Sequence, residues 1–154
     1  ATPRLAAKQR LARTRMKPQQ TLGFAEHFIR PAPGRVSGHF GAQRIYNGTP
    51  GSAHSGMDIA AGAGTPVVAP AAGRVVFAEP DLYLTGGTVL IDHGHGIGSN
   101  FLHLSRIDVA VGETIDQGQR LGAVGASGRA TGAHLHWGMT WYDVRIDPEQ
   151  VLAR

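Results

Sequence analysis

Pro66-Val67-Val68-Ala69-Pro70-Ala71-Ala72-Gly73-Arg74-Val75-Val76-Phe77-Ala78 sets two short β-type runs, Pro66 to Ala69 and Gly73 to Ala78, on either side of a break marked by proline and glycine. The same grammar recurs outward along the chain, in Thr88 to Asp92, Ser99 to Leu104, Arg120 to Val124 and His134 to Trp141. After Phe28 no stretch keeps a helical apolar period for three turns. The 22 glycines and 9 prolines supply the tight turns that such short runs need. The expected class is all-β, with antiparallel sheets folded on themselves.

A chain of 154 residues with 42% apolar side chains can bury one sizeable core. No apolar run approaches the ~18 to 20 residues needed to span a bilayer, so no membrane span is expected. The formal charge of +4 is unevenly placed. Arg4, Lys8, Arg10, Arg13, Arg15 and Lys17 stand in the first 20 residues without an acid, whereas residues 21–154 hold 9 basic and 11 acidic side chains, a net of −2. The basic character therefore belongs to the tail, which removes the main support for nucleic-acid binding. The expected organisation is a basic linker or frayed helix over 1–22 and a folded domain over 23–154. Beginning at Ala1 rather than Met, the chain reads as a processed or cut form whose export signal or upstream domain is out of view.

With 8 histidines and no cysteine, any metal site here uses imidazole and carboxylate donors, a set that suits zinc. His54 and Asp58 stand four apart in a glycine-crowded stretch, so a loop entering a short strand, bent at Gly56, can aim both at one point. Taken alone, the pair also fits a surface histidine and a turn-capping aspartate. In His134-Leu135-His136-Trp137, strand alternation puts both imidazoles on one face and Leu135 and Trp137 on the other. A solvated strand face is the competing reading. His93-Gly94-His95 reads as a hairpin turn too loosely fixed for metal binding. His103, within the apolar run Asn100 to Leu104, reads on its own as a satisfied structural residue.

Taken together, these motifs resemble the M23 family of zinc metallopeptidases, the lysostaphin and LytM-like enzymes that cut peptidoglycan. The resemblance spans about Gly34 to Pro148: His54 to Asp58 in H-x-G-x-D form, Gly64 to Pro70 with Gly73-Arg74-Val75, His103-Leu104-Ser105, and Gly125 to His136. It implies a two-layer β sandwich-like core with a long groove between surface loops. It also implies that His54, Asp58 and His136 bind one zinc ion with a fourth position open, while His103 and His134 flank the water held there. Two neutral imidazoles and one carboxylate leave the metal net positive, able to acidify that water and polarise an amide carbonyl. His103 and His134 can then exchange protons with it, and activity is expected to fall below about pH 6 as imidazole protonates.

The substrate implied is peptidoglycan stem peptides. Gln43 to Gly48 and Asp92 to Gly96 look most like the Gram-negative periplasmic enzymes, which points to D-alanyl to meso-diaminopimelate cross-links, a periplasmic or cell-envelope location, and an upstream regulatory domain joined through the basic segment. Two alternatives compete with this reading. An inactive LytM-like domain that binds the wall or activates an amidase typically lacks the metal ligands, which this chain keeps. A lipoyl or biotinyl carrier, suggested by Val111-Gly112-Glu113 and Gln117-Gly118-Gln119, needs a hairpin lysine, and both lysines, Lys8 and Lys17, lie in the tail.

Overall fold

The computed structural model describes residues 27–41, 43–46, 49–53, 55–128 and 132–152; the basic segment 1–22 and His54 lie outside them. The runs read from the sequence form β5 (Pro66–Val68), β6 (Gly73–Leu82), β7 (Gly86–Gly94), β8 (Ile97–Ile107), β10 (Arg120–Val124) and β11 (Leu135–Trp141). Shorter strands complete the set: β1 (Arg35–Gly38), β2 (Gln43–Tyr46), β3 (Thr49–Ala53), β4 (Met57–Ala60), β9 (Thr114–Ile115) and β12 (Val144–Ile146). A 3-10 turn over Pro148–Val151 follows, its start capped by Asp147, whose side chain accepts from the Glu149 amide.

The main sheet runs β1-β4-β11-β8-β7-β6-β9, while β2 and β3 form a separate hairpin, and all pairs between these strands are antiparallel. The long strand β8 is the branch point. Its first half pairs with β7 and β11, whereas Leu104, Arg106 and Ile107 pair with β10, which carries β5. Gly122 permits this second pairing, since a Cβ there would fall 2.1 Å from the Arg106 carbonyl oxygen. Val67 of β5 and Leu121 and Val124 of β10 join Val75, Ile91, Phe101, Leu135 and Trp137 in one core cluster. The branch thus folds a second layer over the main sheet, as the two-layer expectation requires.

On β11 the alternation is strict. Leu135, Trp137 and Met139 are fully buried in the core, which turns His136, Gly138 and Thr140 to the opposite face of the sheet. On β4, Met57 and Ile59 are fully buried likewise, which turns Asp58 to that same outer face. Because Asp58 is the register partner of His136, the two side chains come out side by side.

Candidate active site on the outer face of the sheet

His136 Nδ1 lies 2.9 Å from Asp58 Oδ1, and both residues are largely buried. Two glycines make this proximity possible. A Cβ on Gly56 would fall 2.8 Å from His136 Nε2 and 2.6 Å from the Trp137 carbonyl, so Gly56 lets the chain before β4 lie flat against the imidazole. A Cβ on Gly38 would fall 2.8 Å from Asp58 Oδ2. With the Nε2 edge closed by Gly56, His136 presents Nδ1 to the site.

His134 precedes β11 and is held by an isolated bridge to Gly125 rather than by the strand proper, so the run begins one residue later than the sequence suggested. Its Nδ1–H donates to the Gly132 carbonyl at 2.9 Å, and Nε2 lies 3.9 Å from Asp58 Oδ1. Both histidines of the pair thus approach the same carboxylate oxygen, Asp58 Oδ1.

His103 sits on β8 at φ +64°, in the left-handed region that side-chain-bearing residues seldom adopt. Regular alternation would send it into the core with Phe101. Instead the break in pleat buries Leu104 and leaves His103 half-exposed, with its ring centroid 5.2 Å from that of His134. The apolar run taken alone suggested a structural residue; the left-handed backbone instead carries His103 to the outer face, beside His134. Its Nδ1–H donates to the Ser127 carbonyl at 2.7 Å. Burial lowers its pKa below the ordinary imidazole value; the Ser127 carbonyl opposes this, His134 and His136 lower it further, and Asp58 raises it.

A carbonyl can only accept, so both His103 and His134 carry their proton on Nδ1 when neutral and offer a bare Nε2 lone pair. Ser127 is the residue whose part the sequence did not disclose. Its hydroxyl donates to the Leu104 carbonyl at 2.7 Å and accepts from the Gly87 amide at 3.0 Å, tying the 125–128 loop to β7 and β8 while its carbonyl orients His103.

His93 overturns its sequence reading. It is no loose turn residue but a core member of β7, fully buried, with Nδ1–H donating to the Ala72 carbonyl at 2.9 Å. Nε2 then accepts from Ser99 Oγ at 2.8 Å, and Ser99 in turn accepts from Trp137 Nε1 at 3.1 Å. His95, at φ +50°, does sit in the turn.

Among the described residues no group of three His, Asp or Glu side chains converges closely enough to hold a metal. His54, the remaining donor expected, lies outside them. The donors that are described fit a zinc site in kind: one imidazole nitrogen and one carboxylate oxygen face each other 2.9 Å apart, near the about 3.3 Å between neighbouring donors of a tetrahedron with bonds of about 2.0 Å. Gly56 and Gly38 hold the space beside them clear.

The chain is similar to known proteins in sequence and fold. The sequence profile of peptidase family M23 matches residues 52–148. The peptidoglycan DD-endopeptidase ShyA of Vibrio cholerae is 40% identical over 104 residues, which are 67% of this chain and 24% of that protein. A crystal structure from Pseudomonas aeruginosa assigned to peptidase M23 is 41% identical, with TM-score 0.77 over 95% of this chain and 58% of that one. A zinc-containing peptidase from Vibrio cholerae superposes with TM-score 0.73 at 26% identity, over 79% of this chain and 39% of that one. The match thus spans about a quarter of the curated relative's length.

Proposed function

The chain belongs to peptidase family M23, and from that premise we propose that it is a zinc-dependent endopeptidase that hydrolyses peptide cross-links of bacterial peptidoglycan, of the D-alanyl to meso-diaminopimelate type. His54, Asp58 and His136 hold one zinc ion, and His103 and His134 handle protons beside it. The observation that carries this is the convergence of Asp58 Oδ1, His136 Nδ1 and His134 Nε2, at 2.9 and 3.9 Å from the carboxylate, with the His103 ring 5.2 Å from that of His134. The name of ShyA supports the substrate class. Such a substrate lies in the periplasm or cell envelope, and among the described residues no helix is long and apolar enough to cross a membrane.

When bound, zinc polarises the scissile carbonyl and acidifies the attacking water. The protein's own part follows from its tautomers. His103, held neutral by burial, takes the water's proton at Nε2 while the Ser127 carbonyl keeps Nδ1–H in place and stabilises the imidazolium that forms. His134, with Nδ1–H fixed on the Gly132 carbonyl, offers Nε2 on the other side and, once protonated, donates to the oxyanion or the leaving amine.

The test is digestion of diaminopimelate-type and glycine-bridged peptidoglycan by wild type and His54→Ala, with products identified by mass and zinc measured in both proteins. Release of diaminopimelate-linked fragments by the wild type alone is expected, with one zinc per wild-type chain. Equal release by both proteins would remove the ligand assignment.

A further inference from the structure

The face that carries Asp58 and His136 has a cation near its edge. On β4, Met57 and Ile59 are fully buried, so Ala60 turns outward on the same side as Asp58. Arg35 of β1 is the register partner of Ala60, while its neighbour Val36, the partner of Ile59, packs against the core. Alternation therefore sets Arg35 on the outer face, where it is exposed. Two residues along β4 cover about 7 Å and one strand spacing about 5 Å, which puts the Arg35 Cα about 8 to 9 Å from that of Asp58.

The backbone at Arg35 is fixed. Gly34, at φ +131°, lies so close to β4 that a Cβ on it would fall 2.1 Å from the Ala60 carbonyl oxygen, and Arg30 donates to the Gly34 carbonyl at 2.6 Å. Along β4 only the methyl of Ala60 precedes Asp58 on this face. Among the described residues no carboxylate pairs with Arg35. The other described arginines on this face stand farther off: Arg145 is the register partner of Thr140, about 14 Å along β11 from His136, and Arg74 lies on β6, beyond β8 and β7.

Resting on the function proposed above, we infer that Arg35 receives the carboxylate of the residue whose amine leaves. In a D-alanyl to meso-diaminopimelate cross-link the acylated amine sits on a carbon that also bears a free carboxylate, about one residue, or ~3.5 Å, beyond the scissile carbonyl. In a glycine bridge the carbon beside that amine carries a neutral amide instead. The guanidinium fork matches a carboxylate with two parallel N–H···O bonds and has no such match in an amide. Bound in this way, the leaving residue lies toward β1 and its amide is held over Asp58 and His136. A cation at this position selects the direct cross-link over the glycine bridge.

The experiment measures kcat/KM on two synthetic D-alanyl cross-linked peptides that differ only in this group, a carboxylate in one and a carboxamide in the other. Wild type is expected to prefer the carboxylate by about tenfold. In Arg35→Gln the ratio should fall to about one. Arg35→Lys should keep part of it, because the charge stays while the fork is lost. Arg120→Gln, at an exposed position on β10 in the second layer, should keep it whole. Equal turnover of the two peptides by wild type, or a preference that survives in Arg35→Gln, overturns the inference and leaves the endopeptidase reading standing. In parallel, the amine product of each peptide, made by synthesis, is titrated into wild type while the Arg35 Nε–H is followed by NMR. A shift with the carboxylate product alone, without cleavage of either peptide, upholds the carboxylate site and overturns the proposed reaction; no cleavage and no shift overturns both.

Discussion

His103 joins an unusual backbone to an unusual proton affinity. Its φ of +64° costs free energy, and the Ser127 carbonyl and the pleat break that buries Leu104 hold it in place. In the general-base role proposed for it, His103 works only when neutral, and its pKa is lowered from the ordinary imidazole value, with burial the largest cause. The sign follows directly: kcat/KM falls as pH falls through the folded pKa, so the acid limb lies below pH about 6.5, the ordinary imidazole value. His103→Ala is expected to lower kcat by about 10² to 10⁴ with KM little changed and to abolish that limb. A steady-state pH profile of both proteins checks this; an acid limb that survives intact in His103→Ala would assign it to another group. Ser127→Ala keeps the carbonyl but loses the two hydroxyl hydrogen bonds. It should give a smaller loss of kcat, with the limb retained.

At the level of elements, the site depends on β4 and β11 lying close enough to bring two side chains together, and Gly56 is the gate. In Gly56→Ala the added methyl meets the Trp137 carbonyl at 2.6 Å and His136 Nε2 at 2.8 Å, so β4 or the imidazole must move. Activity is expected to fall by about 100-fold, the loss typical of a displacement near 1 Å, and bound zinc to fall below one per chain while the β-type circular dichroism persists. Gly62→Ala, which meets nothing within 4 Å, is the control and should behave as wild type. The sequence announced six runs because glycine and proline punctuate them and β-branched residues fill them. It was silent on β1 and β9, short strands that draw their order from partners far along the chain, and on β12, three residues that close a hairpin on β11. The Asp58 and His136 pairing was legible as two motifs, but their register was not, because it is set by a strand pair separated by 78 residues. His93 was misread for a local reason: Gly94 and Gly96 suggested a turn, although the period-two count Val89, Ile91, His93 already placed it with the core.

For the molecule as a whole, His93 makes stability depend on pH. It is fully buried, and its pKa is lowered to about 4, chiefly by burial, with the hydrogen bond to the Ala72 carbonyl opposing. In the chain from Trp137 through Ser99 to His93 each hydrogen bond runs one way, so Nε2 accepts from Ser99; a proton added there makes Ser99 Oγ accept from both rings and takes away the acceptor of its own O–H. The unfolded chain takes up that proton near pH 6.5, and the folded one only near 4. Between those values the unfolded state binds more protons, so stability is whole above pH 6.5, declines as pH falls toward 4, and loses nothing further from this group below that. At about 1.4 kcal/mol per unit, the decline amounts to about 3 kcal/mol, a large share of the ~5 to 15 kcal/mol that holds a domain folded. Denaturant unfolding of wild type and His93→Gln at pH 7.5, 5.5 and 4 reads it: the variant starts less stable because the ring is lost from the core, and the gap between the two should narrow by about that 3 kcal/mol as the medium acidifies. If the two stabilities fell in parallel, the acid sensitivity would lie in the other titrating groups, and the core network would be a packing device indifferent to pH.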